Sequence, residues 1–310
     1  MPLDYLTKML SPDDIAGHIE RYQLEPKKQQ FGSQAELIYR RGGFVASQVI
    51  WHDKLPRAMD FARQQIGRCV DKNISFQNGA VILARELEQP RGRFARRWHA
   101  PPGGLWGCLV HVGSLLEQAR GLIPMAAGVA CCRAVHDFGG TSAAIRWVND
   151  ILIDGRKLAG FLVESFTDPK FGEQYDLIGF GINLNNKIFP DELEGLAACL
   201  ALAAGKEIDL KDFACSFFAH LRWELGRLYF DEDFWLQSGQ YGRNNQYSVV
   251  SSWRSLTDTV GKRVAYGFDV IKNPLYKALV KGVQPDGSLL MQFDDGSEKT
   301  ENAGEIRYLS

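Results

Sequence analysis

Between Phe44 and Asn183 the chain sets short apolar runs around one long helical run, and this order limits the fold more than any other feature. Val45, Ser47 and Val49 alternate into Ile50–Trp51, the period of a strand, and Leu55 to about Ile66 carries a helical period. Ala80–Ala84 is continuously apolar and Leu105–Val112 is strand-like. Ile123–Phe138 is helical, with Ala126, Ala127, Gly128 and Ala130 small enough for close packing. Ala144–Trp147, Ile151–Ile153, Lys157–Glu164 and Leu177–Asn183 read as strands, with turns at Asp154–Gly155 and Asp168–Gly172. Phe213–Phe230 is a helix with a strongly aromatic face. Strands and helices mixed in this way predict an α+β domain, a mixed β-sheet flanked by helices.

The flanks read differently. Residues 252–310 hold short strand-like runs (Arg263–Tyr266, Tyr276–Val283, Ser288–Phe293, Glu305–Leu309) with turns at Asp286–Gly287 and Asp295–Gly296, the pattern of a small β-barrel. At the other end, Ser11 is a helix N-cap before Asp13–Asp14 and an amphipathic run to about Tyr22, and Lys27–Gln30 breaks that pattern. The expected division is an extension over 1–42, a catalytic domain over 43–250 and a β module over 251–310. The extension is too short, and lacks the patterning, for a winged DNA-binding domain.

Composition narrows the setting. A hydrophobic fraction of 45% and a formal charge of −1 give no general attraction to nucleic acid or anionic lipid. Met1–Leu10 lacks a secretory pattern, and no run approaches the ~18 apolar residues of a spanning helix. Cys69, Cys108, Cys131, Cys132, Cys199 and Cys215 form no CxxC pair and mostly sit in apolar surroundings, as reduced thiols do. These features predict a cytoplasmic protein.

Two segments carry chemistry. Gln89-Pro-Arg-Gly-Arg-Phe-Ala-Arg-Arg-Trp98 sets four arginines on a loop between core strands. Each offers a planar fork of donors suited to phosphate, and Gly92 lets the backbone approach a ligand. A solvated basic turn is the bland alternative. The second segment, Ile145–Glu164, is a hairpin about Asp154–Gly155. Asn149 and Asp150 interrupt an apolar strand with polar groups, which costs free energy unless they bind something. Lys157 opens the return strand beside Leu158-Ala-Gly160. A snorkelling rim lysine is its bland reading, and contact with a carboxylate and a phosphate is its functional one. Gly179-Phe-Gly-Ile-Asn183 ends a strand with two glycines and an amide.

In this order the segments resemble biotin protein ligases. That family's G-R-G-R-R-G-R-x-W is matched by Pro90–Trp98, its K-W-P-N-D by Arg146-Trp-Val-Asn-Asp150, its K-x-x-G by Lys157–Gly160 and its G-x-G-I-N by Gly179–Asn183. The resemblance runs from about residue 44 to the end. It implies a biotin/lipoate ligase-like catalytic domain with a C-terminal SH3-like barrel, and a cytoplasmic ligase that uses ATP and Mg2+. The product would be an acyl-adenylate, from which a lysine of a carboxylase carrier protein takes the acyl group. Dimers are common in the family. By the same resemblance, Arg91, Gly92 and Arg93 hold the acyl-phosphate, and Lys157 contacts the reacting carboxylate. Arg96, Leu87 and Gly160 border the substrate and adenylate, Asn149 and Asp150 serve Mg-ATP, and Trp98 and Asn183 line the nucleotide.

The chain also departs from that pattern. Pro90, Phe94 and Ala95 replace a glycine, an arginine and a glycine of the loop. The family's D-S-T-N falls on Asp53-Lys-Leu-Pro56, and its glutamine three residues before the loop falls on Leu87. Biotin, lipoate or octanoate all remain open as the acid, and so does a catalytically silent vitamin sensor.

Overall fold

The computed structural model describes residues 10–239 and 248–309. The chain opens with α1 (Pro12–His18), a π-turn over Ile19–Gln23, α2 (Leu24–Phe31) and α3 (Gln34–Arg41). Ser11 caps α1 as its sequence predicts: its hydroxyl accepts from Asp14 N, and the Asp14 carboxylate accepts from Ser11 N. Residues 27–30, expected to break the helix, instead lie inside α2. Tertiary packing decides this, because Lys27 Nζ sits 4.5 Å from the centre of the Trp223 ring.

Then follow β1 (Gln48–Leu55), α4 (Ala58–Asp71), β2 (Ala80–Leu87), β3 (Leu105–Val112), α5 (Glu117–Arg120), α6 (Ile123–Asp137), β4 (Ala144–Arg146), β5 (Asp150–Ile153), β6 (Arg156–Thr167) and β7 (Gln174–Ile182). They build a seven-stranded sheet of order β1-β2-β3-β7-β6-β5-β4. The β1–β2 pair is parallel and the other pairs are antiparallel. After β7 come α7 (Leu200–Ala204), α8 (Leu210–Ser238) and α9 (Val249–Leu256).

Strand alternation sorts the side chains onto two faces. Val81, Leu83, Leu109, Phe161, Ile178 and Phe180 share one buried cluster with α6 and α8. Ile82, Cys108, Leu177 and Tyr175 join Ala58, Met59, Ala62 and Ile66 of α4 in the other. Each large apolar side chain buried this way contributes about 1.5–3 kcal/mol relative to exposure. The N-terminal helices belong to the first layer. A Cβ on Gly226 of α8 would stand 2.1 Å from the Ile38 carbonyl oxygen of α3, so the two backbones touch where only glycine fits.

The C-terminal sheet is β8 (Arg263–Gly267), β9 (Tyr276–Val283), β10 (Leu289–Gln292), β11 (Glu298–Glu301) and β12 (Glu305–Tyr308), antiparallel in the order β11-β10-β9-β8-β12. The mixed sheet with flanking helices and this second sheet, consistent with an SH3-like barrel, are the predicted fold class. β11 was not legible in the sequence, because Glu298-Lys-Thr-Glu301 is too polar to show a buried face. The C-terminal sheet is fastened to the main domain around the β4–β5 turn. Thr257 Oγ1 donates to the Ile145 carbonyl, Trp253 Nε1 to Val148 and Trp147 Nε1 to Gly287.

Candidate active site

The site is organised by an irregularity in the β5–β6 hairpin. Ile151 pairs with Ala159 but Leu152 pairs with Lys157, so β6 carries one residue more than its partner. A bulge of this kind shifts the alternation and re-aims a side chain. Lys157 is thereby brought to the face that Gly160 occupies: a Cβ on Gly160 would lie 3.2 Å from Lys157 Nζ and 3.5 Å from Asp150 Oδ1. Gly160 pairs across the sheet with Gly181, and a Cβ there would lie 2.6 Å from Trp98 Nε1. Two glycines side by side therefore leave a shallow floor, with Lys157 along it and Trp98 laid over it. Lys157 Nζ stands 5.4 Å from the Trp98 ring centre.

Asp150 anchors the arrangement. Its Oδ1 is 2.7 Å from Lys157 Nζ and its Oδ2 accepts from Arg146 at 2.7 Å. Burial by itself would raise the Asp150 pKa, but the Lys157 and Arg146 charges outweigh it and hold the carboxyl well below its ordinary value. Asn149 is buried and donates from Nδ2 to the Phe161 carbonyl, which leaves Oδ1 as its acceptor. Gly128 of α6 comes within 3.4 Å of the Asn149 Cα, counted from an added Cβ, so the small residues of α6 allow this turn to settle against the helix. Asn183 is buried beyond the floor, with Oδ1 accepting from Asn186 Nδ2.

The arginine loop is placed differently. Arg93 donates to the Gly304 carbonyl and pairs with Glu305. Arg96 donates to both Glu305 oxygens and to Asp269. Arg91 is exposed, with no side-chain partner among the described residues, and its backbone bridges to Arg97. Gly92 N donates to the Arg96 carbonyl and so closes the turn. The structure thus gathers Lys157, Asp150, Gly160 and Trp98, with Asn149 behind them, and turns Arg93 and Arg96 toward the C-terminal sheet. Leu87 lies at the end of β2, packed on the α4 cluster beside Leu55.

Sequence reasoning gave no role to Arg146, Arg57 or Glu164. Arg146 stood in the K-W-P-N-D match at the lysine position, the one signal that could have flagged it. Arg57 and Glu164 are far apart in sequence, and nothing in the chain announces their pairing. A cleft of about 430 Å³ also opens beside β6, lined by Arg156, Phe189, Leu193, Ala197 and Leu202. The segment bearing it joins Lys157 directly, through Lys157 N donating to Leu196 and Ala198 N donating to Lys157. Among the described residues no cluster of His, Cys, Asp and Glu could hold a metal ion alone, and no helix is long and apolar enough to cross a membrane.

The fold is one already seen in solved structures. A biotin protein ligase from Aquifex aeolicus, in complex with biotin and ATP, superposes with a TM-score of 0.62 at 19% identity, covering 84% of this chain and 98% of that one. One from Leishmania major, in complex with biotinyl-5-AMP, gives 0.51 at 20% identity, covering 82% and 98%. Residues 63–183 match the model of the Biotin/lipoate A/B protein ligase family. Among curated relatives, the bifunctional ligase/repressor BirA of Bacillus subtilis is 30% identical over 190 residues, 60% of this chain and 54% of that protein. The biotin–[acetyl-CoA-carboxylase] ligase of Paracoccus denitrificans is 36% identical over 111 residues, 34% and 44% of the two chains. The chain spans about half the length of the first of these relatives.

Proposed function

We propose that this chain is an ATP-dependent biotin–protein ligase, with residues 43–250 as its catalytic domain and 251–310 as a module that holds the arginine loop. The observation that carries the reading is Lys157, set between Asp150 and Trp98 over the Gly160–Gly181 floor. A cation on a floor without side chains can meet a carboxylate and a phosphate together. In the first step a biotin carboxylate oxygen attacks the α-phosphorus of ATP, the bond to the β-phosphate breaks and pyrophosphate leaves. In the second, the amine of an acceptor lysine, on a carboxylase carrier domain, attacks the acyl carbon. AMP leaves and the amine gives up a proton. Both steps need charge neutralised and reactants aligned more than they need an acid or base.

Lys157 serves the carboxylate and α-phosphate, and Arg91, Arg93, Gly92 and Arg96 close over them. The cleft beside β6, with Phe189 and Arg156 in its walls, takes the adenosine. Asp150 and the Asn149 oxygen suit Mg2+, which typically takes one or two protein oxygens and completes its shell with phosphate and water. When Lys157 turns to the phosphate, the Asp150 oxygen it held becomes available to such an ion. Asn183 braces the turn that leads into the cleft.

Acid-dependent ATP–pyrophosphate exchange tests the reading. Biotin should support exchange in the presence of Mg2+, and the adenylate should label a carrier-domain lysine. Exchange with lipoate or octanoate alone would keep the chemistry and change the acid, the alternative that the apolar Leu55 and Leu87 raise. An absence of exchange with every acid would leave a sensor.

A further inference from the structure

The α4 face of the sheet continues beyond the Gly160–Gly181 floor, and its side chains fall in rows. Leu162, Gly179 and Cys108 form the next row, and Glu164, Leu177 and Val110 the one after. Rows on one face are two residues apart, so Glu164 lies about 13 Å along β6 from Gly160. Met59 of α4 fills the middle row: a Cβ on Gly179 would sit 2.6 Å from its sulfur. Beyond it, Arg57 Nη2 donates to Glu164 Oε1 at 2.5 Å and stands 3.3 Å from the Met59 sulfur, while Arg63 donates to Glu164 Oε2 at 2.6 Å. The track from Lys157 is thus apolar along Leu162, Met59 and Cys108 and ends on a carboxylate and guanidinium pair.

Two details mark that end as a reader of polar groups. The Arg57 side chain is only 11% exposed, and its Nε is buried without a hydrogen-bond partner. An unmade bond of this kind costs about 1–3 kcal/mol, so a native site retains it where something supplies an acceptor. The residues at the D-S-T-N and glutamine positions, meanwhile, do not supply polar groups to this face. Asp53 is exposed and paired with Arg85, Lys54 pairs with Glu86 and Glu88, and Leu55 and Leu87 pack in the apolar cluster.

Resting on the ligase reading above, we propose that Arg57 and Glu164 receive the far end of the activated acid and select a cyclic urea head, with Met59 turning aside to admit it. The Arg57 Nε–H donates to the urea carbonyl, and the Glu164 carboxylate accepts from a urea N–H. An alkyl or dithiolane tail offers neither group and leaves Arg57 Nε unpaired, so biotin is favoured over octanoate or lipoate.

The test uses the full chain, with ATP–pyrophosphate exchange on biotin and on octanoate, and calorimetric titration of biotin without ATP. Arg57→Leu should raise the KM for biotin by about tenfold to a hundredfold, the equivalent of one or two lost hydrogen bonds. The KM for ATP should move far less, the preference for biotin over octanoate should narrow, and Arg57→Lys should recover part of the loss. Met59→Ala should tighten biotin binding. Should Arg57→Leu fail to fold, Glu164→Gln carries the test through the calorimetric affinity. The proposal is overturned if the variants keep biotin affinity within twofold of the parent, or weaken octanoate and biotin alike. It also falls, with the ligase chemistry intact, if the parent protein activates octanoate in preference to biotin. Exchange with no acid at all would remove the ligase reading. Calorimetry then still decides the head site, and a parent protein that binds no biotin overturns it.

Discussion

The two arms of the site are held by different means. Lys157 belongs to the interior of a sheet: its backbone pairs with Leu152 on one side and Ala197 on the other, and its side chain is fixed by Asp150. The arginine loop has no strand to hold it. Arg93 and Arg96 are secured by Glu305 of the C-terminal sheet and by Asp269 in the turn after β8, through ion pairs with the Arg96 side chain 35% exposed. Pairs of that exposure are typically worth no more than about 1 kcal/mol each, and salt weakens them. The difference teaches that the proposed reacting centre is built into the fold, while the arginine arm is held from outside by the C-terminal module. Activity should therefore be lost by chemistry at the first arm and tuned by conditions at the second.

Lys157→Ala should break the comparison most sharply. We expect acid-dependent exchange to fall by about a thousandfold, the scale of removing a preorganised electrostatic group. The fold should be retained, since Asp150 keeps Arg146. Persistence of exchange would move the centre elsewhere.

Asp150→Asn comes next and has a pH signature. The folded pKa is depressed, so the carboxylate contributes stability above its unfolded value near 3.8, and that contribution is lost as pH falls through the lower folded value. In the variant, acid unfolding between about pH 4 and pH 2 should be less steep than in the parent, and stability at neutral pH lower by about 1–3 kcal/mol. Denaturant melts at several pH values measure both; parallel curves would show that Asp150 is not held by its cations.

Gly181→Val drives a side chain into Trp98, whose Nε1 would lie 2.6 Å from the new Cβ. Exchange should drop about tenfold to a hundredfold, as misplacement near a reacting centre costs. Trp98 fluorescence should shift as the ring is pushed from the floor, and an unchanged spectrum would refute the packing.

Glu305→Gln should have the smallest effect and falls on the second arm. It removes the charge shared by Arg93 and Arg96. The loop should become more open to trypsin at Arg97, and the KM for ATP should rise about threefold, within the worth of exposed ion pairs. Raising salt in the parent should imitate the variant. If neither treatment touches the loop, the module does not restrain it.

Much of this was legible in the residues, for a physical reason. β3 and α6 were read within a residue of their ends because they are buried on both faces or pack tightly, so burial wrote itself as a continuous apolar run. Lys157, Asp150 and Trp98 were legible as types, since a lysine or a broken apolar strand is costly without purpose. Their grouping was not. The bulge that re-aims Lys157 shows only in the register of β5 against β6. α2 was missed because its polar sequence gains nothing locally and is held by Trp223 of α8.

The sequence alone determined the mixed sheet with flanking helices, the β-rich end and the kinds of side chain offered at Lys157 and the arginine loop, because these follow from local period and residue type. Tertiary structure decided which groups meet. It set Lys157 beside Asp150 through one extra residue in a strand, and it turned Arg93 and Arg96 toward Glu305. It also joined Arg57 to Glu164 across 107 residues. Such meetings depend on register and on the docking of one sheet against another, which no local period records.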